Sequence, residues 1–396
     1  MFIQVHLIQS VPASNSNAGQ DGSPKHFDAW GSTRVTQSSQ AQKRAARQWY
    51  QKYGQLDRKQ FASRSRVWDT VLAGYLKVGK DDAQKLWIAR ILLGLFNIKP
   101  EKIFDVALEG VQNLLFFADH EVQELANIAG DHEGLLLGLC DRIAAYQTSL
   151  AEEKKFSNFP KKSELRGLLK AIGEISEALP GDVALFGRMM ANMQKQSVDG
   201  CVQVAFAVSV NSFRRQKTRD GWKVGELDFF SAIDDFASQE PASADSGMIG
   251  EKPYAAPVLY RYANVCVTEA VKLMGDSDAA QASVRAFIEG FIRSLPSGGG
   301  NSFAHQTLPE FVLIEVGPYM PYNHAAAFEV PIDSPEKGRS IGQIATNKLM
   351  ERRETMYKIY GGEPLFWGVT GLDGYAQNPV PLSQLVDDAI AATSET

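Results

Sequence analysis

Lys43, Arg44 and Arg47 fall in one stretch, Arg34-Val35-Thr36-Gln37-Ser38-Ser39-Gln40-Ala41-Gln42-Lys43-Arg44-Ala45-Ala46-Arg47, whose residue types suit a chain of phosphates. Ser39 and Gln42 have the spacing of a capping box, which predicts a helix beginning there. Lys43 and Arg47 then lie one turn apart with Arg44 beside them, while Ala41, Ala45 and Trp49 turn inward. A helix N-terminus carries free N–H groups and the positive end of the helix dipole. Followed by a cationic stripe, it can grip a phosphate backbone. A solvated basic face on an ordinary helix accounts for the same spacing.

The elements that must position this stretch are legible in part. Residues 2–11 alternate like a strand, residues 12–32 read as a loop, and the basic helix covers 39–53. Between about 63 and 179 prolines are rare and helical apolar spacing recurs, at 85–96, 103–117, 121–129, 135–150 and 165–179. That block reads as an inserted helical subdomain. Strand character returns at 201–211 and 258–267. A helix capped by Ser277 runs to about 295, a strand covers 311–316, and helices follow at 343–360 and 382–392. Without its insertions the order is strand, helix, strand, strand, helix, strand. This is the ferredoxin-like or RRM-like α+β arrangement, an antiparallel sheet backed by two helices. The expected division is a palm at 1–60, helical fingers at 61–182, and a palm continuation at 183–396 interrupted by an inserted segment at about 211–256.

The chain has 396 residues and a formal net charge of −5, so it is not coated in basic residues, although a local basic groove remains open to it. Its three cysteines lack any CxxC spacing, which excludes a zinc ribbon or disulfide framework and fits a reducing, cytoplasmic setting. No apolar run suits a membrane span. HExxH, GxSxG and P-loop motifs are absent, so no metal, cofactor or catalytic residue is assigned. His6, His120, His132, His305 and His324 are scattered and read as surface or structural residues.

An ordered set of phrases resembles one family, the CasC-type backbone subunit of the type I-E CRISPR Cascade complex, within the RAMP superfamily. The phrases are Arg34-Val35, Ser38-Ser39-Gln40, Lys43-Arg44-Ala45 with Arg47, Ala184-Leu185, Gly187-Arg188-Met189, Val198-Asp199-Gly200, Phe230 with Ala232 and Asp234-Asp235, and Tyr260-Arg261-Tyr262-Ala263-Asn264. The resemblance implies a palm, helical fingers and an extended thumb hairpin at about 211–256. It implies a non-catalytic protein that binds the crRNA backbone irrespective of sequence and lines up with copies of itself. Its other expected partners are the target DNA strand and further Cascade subunits, with no membrane partner. The RNA contacts it implies are Arg34, Ser38, Ser39, Gln40, Lys43, Arg44, Arg47, Arg188 and Met189. Phe229 and Phe230 would displace a base from the thumb. Lys25, His26, Gly298, Gly299 and Gly300 are further loop contacts. The basic segment 213–223 is longer than the family pattern.

Two rivals remain. Some RAMP relatives cut RNA with a histidine or loop aspartate, and His26 and Asp28 lie in the corresponding loop, though without a carboxylate cluster. A free-standing single-stranded RNA-binding module of RRM type would instead stay monomeric and stack bases on its sheet.

Overall fold

Strand Phe2–Ser10 is buried without interruption from Ile3 to Gln9, its polar residues included. Such a strand must lie inside a sheet covered on both faces. The computed structural model describes residues 1–54, 56–175, 179–189, 197–218, 221–232, 248–336, 338–376 and 378–394. Two units divide the chain. The first comprises Met1–Gln55, Val202–Thr268 and Val284–Thr396, and the second comprises Leu56–Cys201 and Glu269–Ser283.

In the first unit Phe2–Ser10 pairs antiparallel with Val258–Cys266 on one side and Phe311–Gly317 on the other, placing His6 between Tyr262 and Leu313. The path across the sheet is Phe366–Gly371, Phe311–Gly317, Phe2–Ser10, Val258–Cys266, Ala207–Ser209, Ser32–Gln37 and His26–Ala29. Three of these strands were not expected. His26–Ala29, from within the supposed loop, and Ser32–Gln37, which follows it, extend one edge, and Phe366–Gly371 extends the other. The expected strand at 201–211 is broken into Val202–Val204 and Ala207–Ser209, both on Val258–Cys266.

Helices Ser39–Tyr53 and Ser277–Arg293 cross closely. A Cβ on Gly290 would come within 2.7 Å of the Ala46 carbonyl oxygen, so only glycine permits the approach. Asp276, not Ser277, caps the second of these helices, accepting from the N–H groups of Asp278 and Ala279. The opposite sheet face is covered too. Ile8, Tyr260, Tyr262, Phe311 and Leu313 pack with Phe328, Ile332, and Ile344, Ala345 and Leu349 of helix Ile341–Tyr360. Each fully buried aliphatic side chain there contributes roughly 1.5–3 kcal/mol. That helix opens on a reciprocal capping box, Ser340 with Gln343.

Beneath it lies a buried polar knot. Glu315 Oε1 accepts from Arg353 Nε at 2.6 Å, and its Oε2 accepts from the Tyr357 hydroxyl at 3.2 Å and lies 3.3 Å from His6 Nε2. Burial alone pushes the Glu315 carboxyl up, but His6 and Arg353 outweigh it and hold it down to about 2. Burial, helped by His6, pushes the His324 imidazole down to about 3, so it is neutral.

The second unit is helical, with a core that includes Leu72, Leu92, Phe96, Phe104, Leu125 and Ile143. Helical spacing at 103–117 gives way to a short helix, Ile103–Glu109, ended by Gly110 at φ +95°, and then strand Leu115–Phe117, paired with Ser63–Ser65. The unit also runs past the expected boundary at 182, to Cys201.

Candidate nucleic-acid interface

Ser38, one residue before the expected cap, closes the basic helix by accepting from the Ala41 N–H at 3.3 Å. Gln42 is not the capping-box partner. It is fully buried and donates to the carbonyls of Gln37 and Ala205. The inward stripe is therefore Gln42, Ala45, Ala46 and Tyr50, rotated from the Ala41, Ala45, Trp49 stripe expected.

This rotation decides which cations reach solvent. Gln40 and Arg44 are exposed, four residues apart on one line. Lys43 and Arg47 are half-buried, and Lys43 Nζ donates to the Val202 carbonyl at 3.2 Å. By helix geometry the first-turn N–H groups of Ser39 and Gln40 have no acceptor within the helix.

The loop at residues 15–17 frames this helix start. Asn17 Oδ1 accepts from the Ser38 N–H at 2.8 Å and Ser16 Oγ from Gln37 Nε2 at 3.0 Å. The Gly298 N–H donates to the Ser16 carbonyl, and a Cβ on Gly298 would lie 2.4 Å from that oxygen. Gly299, at φ +65°, and Gly300 follow at the start of a one-turn helix. The expected glycine contacts thus meet the expected phosphate grip through one shared loop. Lys25 joins by backbone, its N–H donating to the Asn17 carbonyl and its own carbonyl accepting from Thr36.

Arg34 departs from expectation. It is fully buried and all five of its N–H donors are used. Nε donates to Ser32 Oγ, Nη1 to the carbonyls of Ser209 and Val210, and Nη2 to those of Phe328 and Glu329, all between 2.7 and 3.1 Å. Arg34 locks the sheet edge and has no face left for a phosphate. Arg261 plays a similar part. Fully buried, it donates to Gln42 Oε1, Gln9 Oε1 and the Phe291 carbonyl, and burial lowers its guanidinium to about 9. It therefore sets the orientation of Gln42, and through it the helix start.

His26 Nδ1 lies 3.0 Å from the Pro24 carbonyl. The Asp28 carboxylate accepts from the Thr33 hydroxyl and from Arg215, and these bonds hold it below the ordinary aspartate range. The basic segment forms a hairpin, Arg215–Thr218 with Gly221–Val224. Beyond it Glu226–Ala232 pairs with Met248–Tyr254, with Phe229 opposite Glu251 and Phe230 opposite Gly250. The Phe229 ring is 65% exposed. The Phe230 side chain, and residues 233–247 of the expected thumb, lie outside the described residues.

Arg188 and Met189 belong to the second unit. Arg188, expected as an RNA contact, is buried, and its Nη1 bonds Glu121 Oε1 at 2.6 Å, which ties it into the second unit. Gly187, at φ +78°, packs so closely on Val198 and Gly200 that a side chain there would strike backbone. Met189 follows with 86% of its surface exposed.

Sequence reasoning missed one constellation. Donor atoms of His6, Glu315 and His324, all buried, lie within 4.8 Å of one another. Among the described residues no helix is long and apolar enough to cross a membrane.

The family model for CT1975-like protein matches residues 3–393. No curated protein matches the chain. Among solved structures, a chain of a "CRISPR RNA-guided surveillance complex, pre-nicking" superposes with a TM-score of 0.76 at 27% identity, covering 99% of this chain and 100% of that one. A chain of a second "CRISPR RNA-guided surveillance complex" superposes at 0.67 with 24% identity, again over 99% and 100%, and shows the shared fold.

Proposed function

The chain belongs to the CT1975-like protein family, and from that premise we propose that it is a non-catalytic backbone subunit of a type I-E CRISPR RNA-guided surveillance complex. The observation that carries this reading is the end-to-end correspondence with a chain of such a complex, at a TM-score of 0.76. In this reading the sheet and its helices are an RRM-like palm, a form supported by the order of the strands 311–317, 2–10, 258–266 and 202–209. The second unit supplies the fingers and the ladder Glu226–Ala232 with Met248–Tyr254 the base of a thumb.

The palm holds crRNA by its sugar–phosphate backbone. Ser39, Gln40 and Arg44 offer N–H and guanidinium groups from the open turn of the helix, with Ser38, Lys43 and Arg47 at its flank. The loop of Gly298, Gly299 and Gly300, with Lys25 and His26, lines the same approach. Such contacts position an RNA without reading it, which a guide of variable sequence requires. With both faces of the sheet covered, bases cannot stack on its centre as on an open RRM sheet, which speaks against the free-standing module. Met189 and Phe229 are exposed apolar side chains suited to wedging against a splayed base. Copies align along the guide, leaving base edges for a target DNA strand, in the cytoplasm alongside other subunits of the complex.

The test is the nucleic acid that co-purifies with the protein. Sequencing is expected to return diverse spacers flanked by common repeat sequence, and sedimentation to show oligomers that lengthen with the guide. Heterogeneous cellular RNA bound by monomers would refute the proposal.

A further inference from the structure

Glu315, His6 and His324 converge from two neighbouring strands and the segment after them, and their placement has the features of a coordination sphere. His6 and Glu315 are 0% exposed and His324 is 1% exposed. His324 Nε2 has no hydrogen-bond partner, an expensive state for a buried nitrogen, and His6 Nε2 faces only the Glu315 carboxylate. His6 Nε2 lies 3.3 Å from Glu315 Oε2, close to the about 3.3–3.4 Å that separates donors around a tetrahedral ion at about 2.0 Å. The two imidazole centroids are 5.1 Å apart with their planes 21° from parallel. Two imidazoles bound through nitrogen to one tetrahedral ion have centroids about 5 Å apart.

The surroundings are those of an outer shell. The Tyr260 hydroxyl lies 2.9 Å from His6 Nδ1, which fixes the ring and turns Nε2 toward the carboxylate. Arg353 and Tyr357 hold the Glu315 carboxylate in place. The His324 N–H donates to the same Tyr260 hydroxyl, tying its segment to the sheet.

We propose that His6, Glu315 and His324 bind one divalent cation of the zinc class, which clasps the segment after strand Phe311–Gly317 to the middle of the sheet. Two imidazoles and one carboxylate suit zinc, cobalt or nickel, and not magnesium or calcium, which take oxygen donors. The donor atoms lie within 4.8 Å of one another, so the widest pair closes by at most about 1.5 Å on binding. A water completes the fourth position of the tetrahedron, and with no exposed face the ion is structural. This site is independent of RNA binding.

The experiment uses the untagged full chain, freed of nucleic acid and stripped with a chelator, with Zn²⁺ and Co²⁺ as probes. The expected result is one equivalent of Zn²⁺ per chain by mass spectrometry. Co²⁺ should give the visible bands of tetrahedral cobalt without sulfur-to-cobalt charge transfer. Zn²⁺ should raise the melting temperature of the wild type and not that of His324→Gln, whose uptake should fall to background. Substoichiometric uptake by the wild type, thiolate charge-transfer bands, or full uptake by a folded His324→Gln would each overturn the proposal. The wild-type cobalt spectrum decides the matter even where the variant does not fold.

Discussion

Substituting Arg34 by Ala separates a residue that builds the interface from one that touches RNA. The wild-type guanidinium supplies four buried carbonyls, those of Ser209, Val210, Phe328 and Glu329. Alanine leaves all four short of a donor, at about 1 kcal/mol each, and adds a void where a fully buried side chain stood, for a total of roughly 4–5 kcal/mol. For a unit of this size each kcal/mol lowers the melting temperature by roughly 2–4 °C, so the expected drop is roughly 8–20 °C. Lysine places three donors on one head and lacks the planar fork, so Arg34→Lys should recover less than half of the loss. The exposed Arg44→Ala should stay within about 0.5 kcal/mol of wild type. Calorimetry measures the first quantity and filter binding of a guide-length RNA the second. Arg34→Ala with an unchanged melting temperature and abolished RNA binding would refute the buried-lock account.

Replacing Lys43, Arg44 and Arg47 together by Ala should weaken binding about equally for unrelated guide sequences. It should flatten the logarithmic salt dependence by about 0.7 for each phosphate that the variant no longer neutralises; a sequence-selective loss would contradict backbone gripping. Arg188→Ala leaves Glu121 charged, buried and unpaired, and should destabilise the second unit by about 3–5 kcal/mol in urea unfolding, whereas a smaller effect would deny the pair its structural role. Phe229→Ala should leave stability within about 0.5 kcal/mol while impairing the stacking of copies, read by sedimentation on a long guide; unchanged oligomer length would count against a thumb. Cys140 is 1% exposed and burial pushes its thiol up to about 12, so thiol reagents should label half-buried Cys266 first, and mass mapping that found Cys140 equally fast would contradict its burial.

The parts of this molecule that were legible in its sequence are those governed by local periodicity. The phrase Tyr260-Arg261-Tyr262-Ala263-Asn264 read as a strand because side chains alternate between faces. The structure adds the division of labour: Tyr260 and Tyr262 meet helix Ile341–Tyr360, while Arg261 meets Gln42 and Phe291. Gln42 was misread because a glutamine three residues after a serine is the ordinary sign of a capping box. Its true acceptor, the Ala205 carbonyl, is 163 residues away. Arg34 and Arg188 look like RNA-binding cations in a basic phrase, and only burial reveals that their donors face inward. Strands Ser32–Gln37 and Phe366–Gly371 were missed because strands of only six residues that include Gly, Ser or Thr carry little alternation. His6 and His324 share no motif spacing, since the sheet register alone brings His6 to Glu315.

Strand Phe2–Ser10 sits between partners that the ribosome delivers far later. At roughly 5–20 residues per second, about 15–60 s separate its emergence from that of Phe311–Gly317. For most of that interval, until Val258–Cys266 emerges, Ile3, Val5 and Leu7 have no sheet to join, and this apolar segment of the nascent chain stays available to unrelated strands or to chaperones. Closure of the first unit therefore waits on the synthesis of Phe311–Gly317, and slowing elongation between the codons of Ser10 and Phe311 should lengthen chaperone association without altering the finished protein.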